Sequence, residues 1–238
     1  MACEGKRMLT DFSQFAATLE GFAPLLLRGV WITMQLALLS LLLGLVFGLL
    51  GAVAKLSRVR AWRLCAQCYT TLIRGVPDLL LMLLIFYGVQ TGVSQLTNAS
   101  GWAYIEIDPF TAGVLTLGFI YGAYFTETFR GALLAVPRGQ FQAARALGMT
   151  SVQGFAYVIF PQMMRFALPG LGNNWMVLLK ATALVSIIGL ADLVKVAQVA
   201  GKSSQQLLAF LLLAGLIYVL LSSASNVALR WYRSPVLA

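Results

Sequence analysis

Long apolar runs alternate along this chain with short polar segments, a pattern that predicts helices crossing a membrane. Five runs, 29–54, 79–94, 109–126, 166–191 and 205–229, are free or nearly free of charge and are read as spans of a hydrocarbon core, which takes roughly 20 helical residues. The first is the cleanest: 26 residues without a charge. At about 1.5 Å per residue it exceeds a core of roughly 30 Å and should tilt. Gly44 and Gly48 make a GxxxG within it, and Gly51 adds a third small position for close helix packing. The second run belongs to a longer stretch, 62–94, interrupted by Arg74-Gly75-Val76-Pro77-Asp78. Pro77 removes a donor and biases Val76 away from helical angles, so Gly75 and Pro77 mark a helix break. Charges beside such a break must face protein or water, which makes it a candidate cavity wall. Ahead of the first run, Phe12, Phe15, Ala16, Leu19 and Phe22 recur at helical spacing and predict a short amphipathic helix on the outer membrane surface within 1–28. No cleavable leader is expected there. The last run carries no membrane-depth charge and reads as scaffold.

The longest polar interruption that still looks folded is Arg138-Gly-Gln-Phe-Gln-Ala-Ala-Arg145-Ala-Leu-Gly148. Gln142-Ala143-Ala144 suits a short helix and Gly148 suits its end, so the segment reads as a docking element. An ordinary loop helix is the plainer reading of those residues alone.

Composition and charge sharpen this picture. Of 238 residues 60% are hydrophobic and 11% charged, which describes a membrane protein rather than a soluble domain. The formal net charge is +9. Its distribution argues against nucleic acid as a partner: Lys55, Arg58, Arg60 and Arg63 follow the first run, Arg130, Arg138, Arg145 and Arg165 surround the turn, and Arg230 and Arg233 sit in the tail. The intervening loops hold Glu106 and Asp108 without a base, and Lys195 and Lys202 beside Asp192. Basic residues in every second loop place the N-terminus outside and the C-terminus in the cytoplasm. The absence of histidine excludes His triads and His-based zinc sites, and no metal site is expected. Cys65 and Cys68 have redox-motif spacing but no βαβ context, so they are read as packing cysteines.

Two polar groups lie in the runs or at their ends. Tyr121, Tyr124, Glu127 and Arg130 share one helix face at i, i+3 spacing. Glu127 is either a structural partner of Arg130 or a carboxylate lining a watery path, where it would attract a cationic solute. Further on, Pro169-Gly170-Leu171-Gly172-Asn173-Asn174 should loosen the mouth of the fourth run and offer amides to a zwitterion. Lys180, near the middle of that run, has Glu127 or Asp78 as a partner, stays solvated in a cavity, or snorkels to the surface.

The spacing of the turn resembles the EAA loop of permease subunits in binding-protein-dependent ABC importers: Gln142-Ala143-Ala144, three residues, Gly148, nine residues, then Val158 and Phe160-Pro161. Gln142 stands where the family has Glu, which withdraws the carboxylate from any ion pair made there, and Phe160 stands for Leu. Arg74-Gly-Val-Pro77, Tyr124-Phe-Thr-Glu127-Thr-Phe-Arg130-Gly131 and 167–174 through Lys180-Ala-Thr182 are similar to motifs of polar amino acid permeases. Within these, 69–88 and 117–131 look like the Q-type subunits of histidine and lysine/arginine/ornithine importers. The resemblance covers about 25–233.

It implies an all-α membrane protein of five transmembrane helices with the type I importer permease fold, in the bacterial inner membrane. A transmembrane domain at 29–233, with the docking loop at 137–161, would sit between the N-terminal segment at 1–28 and a tail at 234–238. The implied partners are a homologous M-type permease, two copies of a cytoplasmic ATPase that bind ATP and Mg, a periplasmic solute-binding protein and membrane lipid. This chain has no Gly-x-x-x-x-Gly-Lys-Ser/Thr loop, is not expected to be an enzyme, and binds no cofactor of its own. Candidate pathway residues are Arg74, Asp78, Tyr124, Glu127, Asn173, Asn174, Lys180 and Thr182. Candidate docking residues are Gln142, Ala143, Ala144, Arg145, Gly148 and Pro161. The competing class is a secondary transporter or channel subunit driven by an ion gradient.

Overall fold

The computed structural model describes residues 2–99 and 106–237, with side chains from 18 onward except at 230 and 232–237. Among the described residues all regular structure is helical. Helix α1 (Ala2–Leu56) is followed by α2 (Arg60–Gly75), α3 (Asp78–Ala99), α4 (Pro109–Ala135), the short α5 (Arg138–Ala146) and α6 (Ser151–Gly154), then α7 (Phe160–Ala181), α8 (Leu193–Ser203) and α9 (Leu207–Leu237). A π-helical turn, Phe155–Ile159, precedes α7, and a 3-10 segment, Thr182–Ile188, follows it.

α1 and α4 run parallel and pack along their length. Glycines allow this: a Cβ on Gly118 would lie 2.7 Å from Leu43, and one on Gly122 2.6 Å from the Cβ of Phe47. Gly48 and Gly51 face Phe125 and Thr126 of α4 just as closely. Gly48→Ala should therefore lower the melting temperature of the purified chain, at a cost of about 1–3 kcal/mol for overpacking against backbone that cannot retreat. Gly215→Ala, with open space around its Cβ, is the control that should not.

α7 packs antiparallel on α4 and carries α9 on its other side, while α8 bridges α1 and α9. The core is continuous from Leu36 through Leu117, Ile120 and Phe125 to Leu178, Leu179 and Val185. This packing gathers Lys55, Arg130, the α5–α6 turn and Arg165 at one end of the bundle, and Asp108 and Asp192 at the other. Asp108 caps α4 by accepting from the Thr111 amide at 2.9 Å. That bond holds its carboxyl below the usual range.

Among the described residues four helical segments, not five, are long and apolar enough to cross a membrane: 18–56, 78–99, 151–188 and 207–229. The exception is α4, which is long enough but rich in Thr, Gly and Tyr. Neighbours enclose it, burying Thr116, Gly118, Tyr121, Gly122 and Thr126, so its surface need not match lipid.

The N-terminal stretch also departs from expectation. No separate surface helix precedes the first run; α1 is one helix of 55 residues with Pro24 inside it. Leu19 and Phe22 pack towards α8 and α9, with Phe22 edge-on to Phe210 at 5.8 Å. The side chains of Phe12, Phe15 and Ala16 lie outside the described residues.

Asp192 caps α8, accepting from the Lys195 amide at 3.0 Å, and Leu193 donates its amide to Thr33 of α1 at 3.2 Å. The carboxyl is buried, its Oδ2 has no hydrogen-bond partner, and burial raises its pKa to about 6. A carboxyl raised from 3.8 binds its proton more tightly folded than unfolded, so stability falls as pH rises from about 4 to about 6. The shift corresponds to about 3 kcal/mol. Asp192→Asn keeps a capping side chain and should flatten that part of a melting-temperature profile measured in detergent.

Candidate functional site: the coupling turn and the charged interior

Local chemistry defines the turn. Val136 and Pro137 end α4 and start α5, and Gly148 takes a left-handed conformation at φ +72°, where a side chain would be strained. Its amide bonds the Arg145 carbonyl at 3.0 Å, and Met149 reaches Ala144 at 3.1 Å, closing the helix end. Thr150 and Gln153 form a capping box that starts α6. Pro161 then lacks the amide that Tyr157 would use at i+4, and the hydrogen-bond register widens into the π turn just before it.

Ala144 is 5% exposed and meets Gly154, whose Cβ would lie 3.2 Å away. Gln162 bonds Gln140 at 3.1 Å and ties the turn to the root of α7. Gln142, Ala143, Arg145, Gly148 and Pro161 are exposed. So are Leu147 at 75% and Val152 at 78%. The turn is a braced knob with an apolar tip, and a cavity of about 210 Å³ opens beside it, lined by Phe141, Ala144, Met149 and Phe155. Leu147 and Val152 carried no motif; their exposure alone brings them into the site.

The break at Gly75 and Pro77 is present, with Val76 extended at ψ 140° between α2 and α3. It joins two predicted groups. Asp78 accepts from the Tyr121 hydroxyl at 3.2 Å, Tyr121 stacks on Tyr124 with centroids 5.4 Å apart, and the Arg74 guanidinium lies 5.5 Å from the Tyr124 ring centroid. A carboxylate, a guanidinium and two phenols thus share one region where the helix is interrupted.

Glu127 lies one turn further along. It pairs with Arg130 at 2.9 Å and also with Lys55 of α1, a residue that sequence reasoning left in the first basic loop. The basic side chain ending one apolar run is the signal that was available. Its partner could be found only once α1 and α4 were seen side by side.

The expected loosening at 167–174 does not occur: α7 is helical through Pro169, Gly170 and Gly172. Gly170 serves close approach to Thr128, and Asn174 donates to Thr128 Oγ1 at 3.0 Å, so this cluster fastens α7 to α4. Asn173 is exposed. Thr182 is buried, donates to the Leu179 carbonyl at 2.7 Å and lies 3.3 Å from the Tyr218 hydroxyl. Lys180 meets neither Glu127 nor Asp78. It lines a separate cavity of about 300 Å³ with Tyr218, Ser222, Ser223 and Asn226 of α9. Cys65 and Cys68 are exposed thiols on α2, not packing residues. Among the described residues no cluster of acids and cysteines is arranged to hold a metal.

Comparison with known proteins places this geometry. The chain is 56% identical over 208 residues to the histidine/lysine/arginine/ornithine transport system permease protein HisQ of Salmonella typhimurium, covering 87% of this chain and 91% of that protein. It is 43% identical over 208 residues to the nopaline transport system permease protein NocQ of Agrobacterium fabrum, covering 87% and 88%. Among solved structures, a chain from the crystal structure of an amino acid ABC transporter with histidines superposes with a TM-score of 0.78 at 33% identity, covering 91% of this chain and 96% of that one. An inward-facing MetNI methionine ABC transporter shares the fold, with a TM-score of 0.67 at 21% identity. Residues 22–234 match the binding-protein-dependent transport system inner membrane component family, and the chain belongs to it, as a Q-type permease subunit.

Proposed function

We propose that this chain forms half of the membrane path of an ABC importer for cationic amino acids such as histidine, lysine, arginine and ornithine. Its companion is a homologous M-type permease, a periplasmic solute-binding protein delivers the solute, and a cytoplasmic ATPase dimer binding ATP and Mg supplies the work. The basic end of the bundle, with the α5–α6 knob, faces the cytoplasm together with the C-terminus, and the Asp108 and Asp192 end faces outward. The observation that carries this reading is the knob itself, braced from within by Ala144 and Gly154 and apolar where it is exposed, in a chain of this family.

ATPase closure pushes on α5 and α6, and the π turn and α7 pass the motion to the helices they join. The broken segment between α2 and α3 offers the solute Asp78 for its cationic group and Arg74 for its carboxylate. Tyr124 lies against the same space, and Asn173 and Lys180 line the side towards the companion. Gln142, Ala143 and Arg145 contact the ATPase; Ala144, Gly148 and Pro161 shape the contact.

The test is reconstitution of the four components in vesicles with labelled arginine. Saturable uptake that requires both ATP and the ATPase is expected. Uptake that persists without the ATPase and follows an ion gradient would replace this reading with the secondary transporter.

A further inference from the structure

An apolar groove of about 600 Å³ opens between α1, α2 and α4, on a side of the bundle that neither the knob nor the charged interior uses. Phe47, Leu50, Val53, Trp62, Tyr69 and Phe119 line most of it. Its walls are held in place: the Tyr69 hydroxyl donates to the Phe119 carbonyl, and the Phe119 ring meets Tyr69 and Phe47 at 4.9 and 6.1 Å. At the basic end of the bundle the groove closes on Ser57 and Trp62, and the Trp62 indole is 64% exposed.

The chain between and beside these two residues carries Arg58, Arg60 and Arg63, all exposed. No acidic residue occurs from 21 to 77, so this charge has no compensation from its own segment. The first turn of α2 adds no acid and no side-chain cap. An oily slot closed by an indole, on a segment that carries three exposed arginines, matches one kind of molecule: an apolar chain at one end, an anionic head at the other.

We infer that this groove is a binding site for an anionic phospholipid, with an acyl chain between α1 and α2 and its phosphate held by Arg58, Arg60 and Arg63. Trp62 marks the level of the glycerol backbone. The assignment is independent of the transported solute and of the ATPase.

The test uses the full-length chain in neutral detergent, stripped of lipid and titrated with dioleoyl phosphatidylglycerol or dioleoyl phosphatidylcholine, with bound lipid counted by native mass spectrometry. The native chain should retain phosphatidylglycerol at least about tenfold more tightly, since each arginine near an anionic head is worth about fivefold. Changing Arg58, Arg60 and Arg63 together to Gln should erase that preference. Cys65→Trp, which adds an indole to the groove wall from an exposed position, should reduce retention of both lipids and leave the melting temperature unchanged. Equal retention of the two lipids by the native chain, or a preference that survives the triple change, overturns the assignment. So does loss of the bound lipid when the companion permease is present, because protein would then fill the groove.

Discussion

Placing an arginine at position 143 should abolish ATP-driven uptake while leaving the chain folded. Ala143 is exposed on α5, so a larger side chain meets no neighbour within this subunit. Against an ATPase it would add bulk and a second cation beside Arg145 where the contact is fitted to a methyl group, an expected cost of about 3 kcal/mol that corresponds to about a hundredfold loss of coupling. The measurement is arginine uptake by reconstituted vesicles beside the melting temperature of the purified variant. Ala144 behaves differently although it is the next residue. Its side chain is turned inward onto Gly154, so Ala144→Leu should lower the melting temperature before any partner is involved. A cross-link to the ATPase should therefore form from a cysteine at 143 and not at 144, with Cys3, Cys65 and Cys68 first changed to Ser so that no other thiol competes. Uptake unchanged by Ala143→Arg would remove the knob from the coupling mechanism.

Glu127→Gln should destabilise the chain by about 3 kcal/mol, because Lys55 and Arg130 lose the one carboxylate they share. The side chains of Lys55 and Glu127 are only 12% and 17% exposed, so water does not replace the lost partner in full. Removing the lysine as well, as Lys55→Gln with Glu127→Gln, should restore much of the stability, measured as the midpoint of thermal unfolding. The double variant also separates two roles for Glu127. If stability and arginine uptake both return, the carboxylate holds α1 to α4. If stability returns and uptake does not, it serves the solute directly. Two bound cations already offset its charge, which favours the first outcome and leaves Asp78, whose hydrogen-bond donors are neutral phenols, as the better attractant for a cationic solute.

Much of this protein is written in its linear order. Apolar runs far longer than a soluble helix needs, and basic residues in alternate loops, sufficed for an all-helical membrane chain. The spacing from Gln142 to Pro161 marked the turn because its features are local: Gly148 ends a helix by its own φ, and Pro161 removes a donor wherever it stands. The break at Pro77 was legible for the same reason. Three things were decided only in three dimensions. α4 tolerates Thr, Tyr and Gly because other helices enclose it, and no property of its own sequence states that enclosure. Lys55 reaches Glu127, 72 positions further along the chain, because glycines let two parallel helices close up. Pro169, Gly170 and Asn174, which look like a loosened helix mouth, instead fasten α7 to α4, since a neighbouring surface can use the room a glycine leaves and the bond an asparagine offers. Backbone geometry follows from residues next to one another, whereas pairing across the bundle follows from which faces the fold brings together.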